Sequence, residues 1–342
     1  MTDRSAVPPP VTAVLDASSR WLPARLARVE ELLLEQGSGH GELLAADAEM
    51  TLSAGGKRLR PLLVLLCAGP EGTEEAVRAA TAIELVHMAT LVHDDVLDRA
   101  PLRRGQPTVA AASGRDRAVA AGDLLFSRAF ALLAAPPAPL ATRQLAAASV
   151  ALARGELAQR HDAFDVSITE QRYLERCRLK TATLFESACL LGWFAAHDGS
   201  APGEMGPASG TAVAGQAEMA EFGAEIGLAF QLLDDVLDVS GPPERTGKAR
   251  GTDLLDGTVT LPLIEAAETD PGLRSLDLRG LDAAGAEELC ERIAATGALD
   301  RVRTRALEMV SAAKGRLDSG GFDEEQRHLL GLVADGVVQR YG

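Results

Sequence analysis

Apolar residues recur at helical spacing along most of this 342-residue chain, whereas strict alternation of apolar and polar residues is nearly absent. The longest such segment runs from Glu74 to Asp98 and is apolar on most sides, which predicts a central helix. Other helical runs lie at residues 20–36, 116–134, 141–159, 168–196, 216–239 and 259–268. The pattern predicts an all-α, single-domain helical bundle over residues 20–342, preceded by a mobile N-terminal lead at residues 1–19.

The composition supports helices and excludes several classes of function. Hydrophobic residues make up 46% of the chain but aromatic residues only 4%, so Ala and Leu carry most of the apolar content, which favours helices. A net charge of −15 argues against nucleic-acid binding and against electrostatic adhesion to anionic lipid. The N-terminus lacks a signal-peptide pattern, and no apolar run approaches ~20 residues. We therefore expect a cytoplasmic protein without a stable membrane anchor, whose four cysteines are reduced.

An acidic cluster followed by two arginines ends the predicted central helix, in the stretch LVHDDVLDRAPLRRG. With about 3.6 residues per turn, Asp94 and Asp98 share one helix face and Asp95 flanks it. Carboxylates so close repel one another unless a cation lies between them. Hard oxygen ligands point to Mg²⁺, which usually keeps several waters and is completed by substrate phosphates. On this interpretation Arg103 and Arg104 hold the phosphates.

The same five residues, DDVLD, occur a second time and supply Asp234, Asp235 and Asp238. One copy alone is weak support for a site, because acidic turns are common on protein surfaces. Both copies, however, lie near the C-terminal ends of apolar helices, where the helix dipole disfavours negative charge, so stability does not account for them. Facing each other across a bundle core, the two copies would bind Mg²⁺ and leave it open to a polyphosphate.

Basic residues near Gly-containing junctions fit the same kind of ligand. The segment GGKRLRP places Lys57 and Arg60 three residues apart beside a diglycine through which a phosphate can approach the backbone. Lys180 begins KTATLFESA, and Lys248 follows Asp234 by fourteen residues. Taken singly, each would be read as a solvated surface charge, but junctions at helix ends often carry function.

The chain resembles the trans-isoprenyl diphosphate synthases, also called polyprenyl synthetases. The resemblance rests on motifs in a shared order: GGKRLRP, ELVHMATLVHDDVLD, RRGQPT, AGDLLFSRAF, KTATLFESACLLG, GLAFQLLDDVLD and TGK with GTDLLDGTVTLP. It covers about residues 27–268 clearly and implies the all-α isoprenoid synthase-like fold with a central catalytic cavity. It also implies the reaction: an allylic diphosphate ionises, isopentenyl diphosphate attacks the cation and a proton is lost. The released diphosphate can accept that proton, so no protein base is implied.

The resemblance also implies residue roles. Mg²⁺, with three ions per site when diphosphate is bound, would be held by Asp94, Asp98 and Asp234, with water-mediated or other support from Asp95, Asp235 and Asp238. Arg103, Lys180 and Lys248 would bind the allylic diphosphate, and Lys57, Arg60, His87 and Arg104 would bind isopentenyl diphosphate. Thr181 and Gln231 would turn oxygen dipoles toward the carbocation, and Glu156 and Gln159 would orient Lys180. Without the resemblance, His87, Thr181 and Gln231 also fit ordinary buried polar residues, and His93 receives no role.

One position departs from the family pattern. Where many relatives have GTDLREGKxTLP, this chain has Thr258 in place of the lysine. A diphosphate contact is therefore expected to be weaker or to be supplied by another residue.

Product length is predicted from the helix that carries Asp94. In short-chain members of the family, bulky aromatic residues occupy the positions four and five residues before the first aspartate, where this chain has Thr90 and Ala89. Val86 and Ala82 are also small or medium in size, while Phe126 and Phe130 are candidates for a deeper floor or for plain core. We predict a medium- to long-chain product, and C20 remains the alternative.

Two further classes of protein stay open as less favoured alternatives. A class I terpene cyclase would share the first aspartate motif but usually carries an Asn/Ser/Glu metal motif in place of a second DDxxD. A non-catalytic partner subunit would be expected to lose aspartates or arginines, and here the only loss is the lysine at Thr258. The family resemblance also implies a homodimer.

Overall fold

The computed structural model describes residues 9–53, 55–72, 74–197, 209–241, 250–320 and 322–339, and these residues are predominantly helical. The helices of the first half are α1 (Pro9–Ala17), α2 (Leu22–Gly37), α3 (Glu42–Ser53), α4 (Leu59–Ala68), α5 (Glu74–Leu97), α6 (Val109–Ser113), α7 (Arg115–Ala134) and α8 (Pro139–His161). Those of the second half are α9 (Glu170–Cys177), α10 (Thr183–Ala196), α11 (Ser209–Ser240), α12 (Thr252–Leu255), α13 (Leu261–Thr269), α14 (Ala283–Ala295), α15 (Ala298–Ser319) and α16 (Glu324–Gln339). The predicted all-α class is confirmed.

Short non-α elements interrupt this pattern at places that matter later. An antiparallel pair, β1 (Leu102–Arg103) and β2 (Gln106–Pro107), follows α5. A π-helical turn at Arg178–Ala182 separates α9 from α10, and 3₁₀ turns lie at Pro271–Ser275 and Leu278–Gly280. Among the described residues, no helix combines the length and apolar character that crossing a bilayer requires.

The N-terminal lead needs correction. The prediction made residues 1–19 mobile, but residues 9–17 form α1, and the side chains of Val14 and Ser18 are buried. Proline is tolerated in the first turn of a helix because its missing N–H would have no partner there. The run of prolines is therefore compatible with a helix start. The remainder of the predicted lead, residues 1–8, lies outside the described residues.

Two compact units divide the chain, where the sequence predicted one domain. Unit 1 comprises residues 1–149, 184–220 and 317–333, and unit 2 comprises residues 150–183, 221–316 and 334–342. Helices α8 and α11 each contribute residues to both units.

The core of unit 1 forms around α5, as its apolar surface predicts. This helix is buried on most sides by α2, α4 and α7, and Ile83, Leu85 and Val86 have no exposed surface. Helices α4 and α10 approach closely, because a Cβ atom at Gly192 would lie only 2.3 Å from the carbonyl oxygen of Val64. Small residues at such crossings are required by space.

In unit 2, the π-helical turn packs against the later part of α8. A Cβ atom at Gly155 would lie 2.8 Å from the backbone nitrogen of Lys180, so only glycine allows this approach. The neighbouring helix α9 is strongly amphipathic and buries Tyr173, Leu174, Arg176 and Cys177. The turn that contains Lys180 is therefore held rigidly against its neighbour.

Candidate active site

The first aspartate motif ends α5 in unit 1, with its three carboxylates in different surroundings. Asp95 is buried, and its Oδ1 lies 2.7 Å from both Nε and Nη2 of Arg103. Asp94 is half-buried, whereas Asp98 follows the last helical residue and is exposed. The middle carboxylate is thus neutralised inside the protein, and the outer two are accessible to solvent.

The RRG segment forms a tight hairpin turn directly after this motif. Arg104 and Gly105 both have positive φ, 53° and 76°, which a two-residue hairpin turn of this hand requires and which glycine accepts without cost. The Arg104 guanidinium donates a hydrogen bond to the carbonyl of Gly55. The hairpin is thereby tied to the GGKRLRP segment, which brings Arg103, Arg104 and that segment together as predicted.

Within GGKRLRP, Arg58 has a role that the sequence did not reveal. It adopts φ 46° at the start of α4 and contacts Glu30 at 2.6 Å and Glu84 at 3.0 Å. Burial alone would lower its pKa, but these two carboxylates raise the pKa above its ordinary value. Arg58 therefore fixes the turn, while the neighbouring Lys57 side chain is exposed. The carboxylate partners of Arg58 are remote in sequence, so no local pattern indicated this role.

Arg60 is a poorly neutralised cation in the same region. Its guanidinium lies 4.8 Å from the centroid of the Phe185 ring, and its Nε is buried without a hydrogen-bond partner. Burial lowers the pKa of Arg60 to about 10, and Glu84 offsets this only partly. A buried N–H without a partner is costly, so this group is better satisfied when an anion is present.

His87 lies about two and three helical turns before Asp94 and Asp98, among these arginines. Burial lowers its pKa well below the ordinary value, and the positive charges of Arg60, Arg104, Arg103 and Arg58 lower that pKa further. The imidazole is therefore neutral at pH 7, and a bound anion would favour its protonated form. Unit 1 thus presents a concentration of positive potential in a protein whose net charge is −15.

The second aspartate motif, on α11 in unit 2, is held by neutral donors. Asp235 is buried, and it accepts hydrogen bonds from the hydroxyl of Tyr173 and from Nε2 of Gln231, the latter at 2.7 Å. Gln231 in turn accepts from the hydroxyl of Thr181 at 2.7 Å. Burial raises the pKa of Asp235 to about 7. The chain Thr181–Gln231–Asp235 unites three predicted site residues, and Tyr173 is an addition that the sequence did not reveal.

Asp238 fastens the end of α11 to the GTDLLDG segment. Its backbone carbonyl accepts from the N–H of Gly251 at 2.9 Å, and its carboxylate accepts from the N–H of Asp253 at 3.2 Å. The N–H of Thr258 donates to the carbonyl of Asp253 at 2.8 Å, so the position of the expected lysine is fixed through its backbone. Lys248 lies outside the described residues.

Lys180 occupies the π-helical turn together with Thr181. Its ammonium donates to Glu156, and the same carboxylate accepts from Nε of Arg160 at 2.8 Å. The contact predicted between Glu156 and Lys180 is present. A π-helical turn within a longer helix often occurs at a functional site, because it re-aims side chains that regular spacing would direct elsewhere.

The residues predicted to control product length differ in exposure. Val86 and Ala89 have no exposed surface, whereas Thr90 is half-buried and lies on the same side of α5 as His87 and Asp94. Five residues correspond to about 500° of rotation, which turns Ala89 away from Asp94, while four residues bring Thr90 close to its azimuth. The Thr90 hydroxyl donates to the carbonyl of His87 at 2.7 Å.

On the neighbouring helix α7, Phe126 packs against His93. The two rings are stacked with their centroids 5.9 Å apart, and a Cβ atom at Gly122 would collide with the imidazole. His93, to which the sequence assigned no role, therefore fills the gap between α5 and α7.

The oxygen donors of both motifs are those that Mg²⁺ prefers. Within the part of the chain that the structure describes, no three His, Cys, Asp or Glu side chains converge closely enough to enclose a metal ion. Mg²⁺ commonly binds through one or two carboxylates, with water and substrate phosphates completing its six positions. Asp94 in unit 1 and Asp234 in unit 2, both half-buried beside a fixed middle carboxylate, suit that mode.

Comparison with known proteins places this geometry in a family. The polyprenyl synthetase family model matches residues 42–289. Heptaprenyl diphosphate synthase component 2 of Geobacillus stearothermophilus is 40% identical over 254 residues, which cover 74% of this chain and 75% of that protein. Geranylgeranyl diphosphate synthase of Methanosarcina mazei is 35% identical over 299 residues, covering 84% of this chain and 87% of the relative.

A solved structure extends the similarity to nearly the whole chain. The polyprenyl synthase of Caulobacter crescentus CB15, solved in complex with calcium and isoprenyl diphosphate, is 33% identical with a TM-score of 0.86. The match covers 97% of this chain and 98% of that structure. Since the family model spans most of the sequence and the fold agrees over nearly all of it, the chain belongs to the polyprenyl synthetase family and is a prenyl diphosphate synthase.

Proposed function

We propose that this synthase condenses an allylic diphosphate with isopentenyl diphosphate, head to tail and in trans, to give a medium- to long-chain polyprenyl diphosphate. The proposed product length rests on the half-buried Thr90 on the Asp94 side of α5, where a bulky aromatic residue would close the path of a growing tail. The similarity to a heptaprenyl relative favours a long product, and the similarity to a geranylgeranyl relative keeps C20 as the second candidate.

Isopentenyl diphosphate is assigned to the arginine-rich part of unit 1. Arg60 has a buried N–H without a partner, and His87 is kept neutral among arginines, so an added diphosphate would relieve both. Lys57 and Arg104 lie on the exposed side of the same segments and would contact the outer phosphate oxygens. This binding orients the double bond for attack on the allylic cation.

Mg²⁺ is assigned to the aspartate motifs, with Asp94, Asp98 and Asp234 as direct ligands. When bound, it would neutralise the allylic diphosphate and lower the cost of its departure, an effect typically worth several kcal/mol. Asp95, Asp235 and Asp238 keep the liganding residues in place through their internal bonds to Arg103, Tyr173 and the backbone of Asp253. The number of ions is proposed as three on the family resemblance.

The allylic diphosphate and the cation that it forms are assigned to further residues. Arg103, Lys180 and Lys248 supply positive charge to the leaving diphosphate. The Thr181–Gln231–Asp235 chain fixes the oxygen dipoles of Thr181 and Gln231, which would face the carbocation as charge develops. The Asp235 carboxylate at the end of this chain would hold the two dipoles in place, so that little reorganisation is needed at the moment of reaction.

The hydrocarbon tail is proposed to extend from the reacting carbon alongside α5 and to pass Thr90. Each further turn of ~5.4 Å accommodates roughly one extended isoprene unit. Ala89, Val86 and Ala82 pack in the core without exposed surface, so they shape the wall from behind. Phe126, which stacks on His93 next to Asp94, would border the start of this path, and Phe130, about one turn further along α7, would be the candidate for a deeper floor.

We also propose that the protein acts as a cytoplasmic homodimer. Val150 and Leu157, two turns apart on α8, are 61% and 71% exposed and would be covered by a second copy. Light scattering during size-exclusion chromatography tests this: a mass of twice 35.8 kDa is expected, and a monomer at micromolar concentration would contradict it.

The product itself tests the proposed function. Purified protein would be incubated with Mg²⁺, excess isopentenyl diphosphate and, separately, C5, C10, C15 and C20 allylic primers, and the products would be identified by mass spectrometry. A ladder ending at C30 or beyond is expected. A clean stop at C20 would establish the geranylgeranyl alternative, and a cyclised hydrocarbon or no elongation with any primer would contradict the proposal in favour of a cyclase or of a subunit that needs a partner.

A further inference from the structure

Arg176 is a buried cation with an unused hydrogen-bond donor. Only 3% of the residue is exposed, although it lies on α9 among apolar neighbours. Its Nη2 donates to the carbonyl of Val259 at 2.6 Å, and its guanidinium lies 5.5 Å from the centroid of the Tyr173 ring. Its Nη1 is 3.9 Å from Asp162 and has no hydrogen-bond partner.

Stability does not explain this arginine. The nearby buried carboxylate of Asp162 already has a close cation, because Arg172 contacts both of its oxygens at 3.0–3.3 Å. Burying a second guanidinium costs several kcal/mol in desolvation, and a buried charge is often replaced by an apolar residue of similar size without loss of stability. An apolar side chain would therefore pack α9 as well, and the specific contact that it would lose is the bond to the Val259 carbonyl.

The contacts of Arg176 lead instead to the second aspartate motif. Tyr173, over whose ring the guanidinium lies, donates its hydroxyl to Asp235. The positive charge of Arg176 also acts directly on Asp235. Asp235 in turn holds Gln231, and Gln231 holds Thr181 in the π-helical turn that begins two residues after Arg176.

The second contact of Arg176 fixes the segment that follows GTDLLDG. Val259 lies between Thr258 and the first residues of α13, and its carbonyl has the Arg176 donor as its partner. Arg176 thus joins α9, the Asp235 network and residues 257–260 within unit 2. Removing it would release two of these elements at once while leaving Asp162 paired with Arg172.

We propose that Arg176 is a positioning residue that keeps the second aspartate motif competent to bind the Mg²⁺-diphosphate complex. It acts through Tyr173 and through the Val259 carbonyl and touches no substrate. The inference rests on the proposed function of that motif. Residues that support metal ligands from behind typically change metal affinity or activity 10- to 100-fold when they are replaced.

The test compares Arg176→Met with the matched control Arg172→Met. Titration calorimetry measures binding of inorganic diphosphate in the presence of Mg²⁺, and steady-state assays measure kcat and the Mg²⁺ concentration for half-maximal activity. Arg176→Met is expected to weaken diphosphate binding about 10-fold or more and to raise the Mg²⁺ requirement, with a melting temperature lowered no further than that of Arg172→Met. Arg172→Met is expected to lower the melting temperature, because Asp162 loses its close cation, and to leave diphosphate binding and the Mg²⁺ requirement unchanged. The Arg172 side chain bonds to Asp162 and not to Tyr173 or Val259.

Arg176→Lys provides a second variant that keeps the charge if the Met variant fails to fold. Lysine retains a donor but not the planar stacking on Tyr173, so its diphosphate affinity is expected to lie between the affinities of the wild type and the Met variant. If only the Lys variant folds, its diphosphate binding is expected to be weakened about a few-fold. The inference would be overturned if the folded Arg176→Met variant kept a diphosphate affinity and a Mg²⁺ requirement within two-fold of the wild type. If Arg176→Met does not fold, the same criterion applies to Arg176→Lys. Equal weakening in Arg172→Met would also overturn it. Failure of the wild type to elongate primers would reject the proposed function alone, because calorimetry still decides the role of Arg176.

Discussion

The pentapeptide DDVLD occurs twice in this chain, and its two copies are held in opposite ways. At the end of α5 the middle aspartate, Asp95, is paired with a cation, Arg103. On α11 the middle aspartate, Asp235, accepts hydrogen bonds from Tyr173 and Gln231, and burial raises its pKa to about 7. Among the described residues, no cation forms a hydrogen bond to Asp235.

The difference shows that identical residues acquire their properties from the elements around them. The first copy is followed within eight residues by the RRG hairpin, so its counter-charge is local. The second copy obtains Tyr173 from 62 positions earlier in the chain. The first motif therefore combines carboxylates with a surplus of arginine, and the second combines carboxylates with neutral dipoles. These surroundings suit the binding of anions and the stabilisation of a carbocation, respectively.

Removing an outer carboxylate from either motif should give the largest effect. Asp94→Ala and Asp234→Ala are each expected to lower Mg²⁺-dependent kcat/KM by about 10²–10³-fold, the usual loss when one group that stabilises developing charge is deleted. Initial rates at saturating Mg²⁺ measure this, and circular dichroism checks that helicity is retained. Glu74→Ala on the same helix, exposed at its N-terminal end, is a control that should keep wild-type rates. Retained activity in either Asp variant would remove that motif from the metal assignment.

Replacing the middle aspartates should separate the two motifs by stability. Asp95→Asn leaves the Arg103 guanidinium without its counter-charge, and a cost of about 1–3 kcal/mol in the free energy of unfolding is expected. Asp235→Asn leaves no hydrogen-bonded cation of the described residues without its counter-charge. It also replaces a group whose pKa is already about 7, so a cost below about 1 kcal/mol in the free energy of unfolding is expected. Urea unfolding at pH 7 measures both values. Equal costs would mean that the two environments do not differ as described.

Bulk at Thr90 should change the product, because the tail is proposed to pass this residue on the helix of the first motif. Thr90→Phe is expected to shorten the product, whereas Thr90→Val, which keeps the size and loses the hydroxyl bond to His87, should leave it unchanged. Ala89 is fully buried, so Ala89→Phe is expected mainly to destabilise the fold, by about 1–3 kcal/mol. Chromatography of the dephosphorylated products makes the comparison. An unchanged product from Thr90→Phe would place the tail elsewhere.

The last prediction concerns the pH dependence of stability that arises from the arginines around the first motif. Burial and the nearby arginines lower the pKa of His87 in the folded state well below its ordinary value of 6.5. The unfolded chain therefore binds a proton below about pH 6.5 that the folded chain does not, and this contribution to stability is lost as the pH falls through that range. Relative to His87→Gln, the wild type should lose up to about 1.4 kcal/mol per pH unit below 6.5. Urea unfolding at pH 7.5 and 5.5 tests this, and an unchanged difference between the two proteins would contradict it.

Much of the fold follows from local pattern. The predicted central helix, residues 74–98, is α5 at Glu74–Leu97, and the run at 116–134 is α7 at Arg115–Ala134. These helices are long and buried on defined faces, so periodicity determines them. The run at 168–196 was predicted as one helix, but it is divided by the π-helical turn at Arg178–Ala182. One inserted residue barely disturbs a hydrophobic pattern, and the turn depends on the approach of Gly155 from another helix.

The candidate site was predictable where motifs repeat and not where partners are distant. The aspartates, Arg103 and Arg104 were predicted as site residues from spacing and charge, and the structure pairs Asp95 with Arg103. Arg58, Tyr173 and Arg176 were missed, since each gains its role from residues that the fold alone brings near. An arginine or tyrosine in an amphipathic helix carries no local sign of the carboxylate or carbonyl that it will meet.

The most direct test of the central claim measures Mg²⁺-diphosphate binding to each motif variant by titration calorimetry. Inorganic diphosphate with Mg²⁺ would be titrated into the wild type, Asp94→Ala and Asp234→Ala under identical conditions. If both copies of DDVLD hold the metal, each single variant should bind at least about ten-fold more weakly than the wild type. Wild-type affinity in either variant would contradict the account, because that copy would then be an acidic helix end without a role in binding.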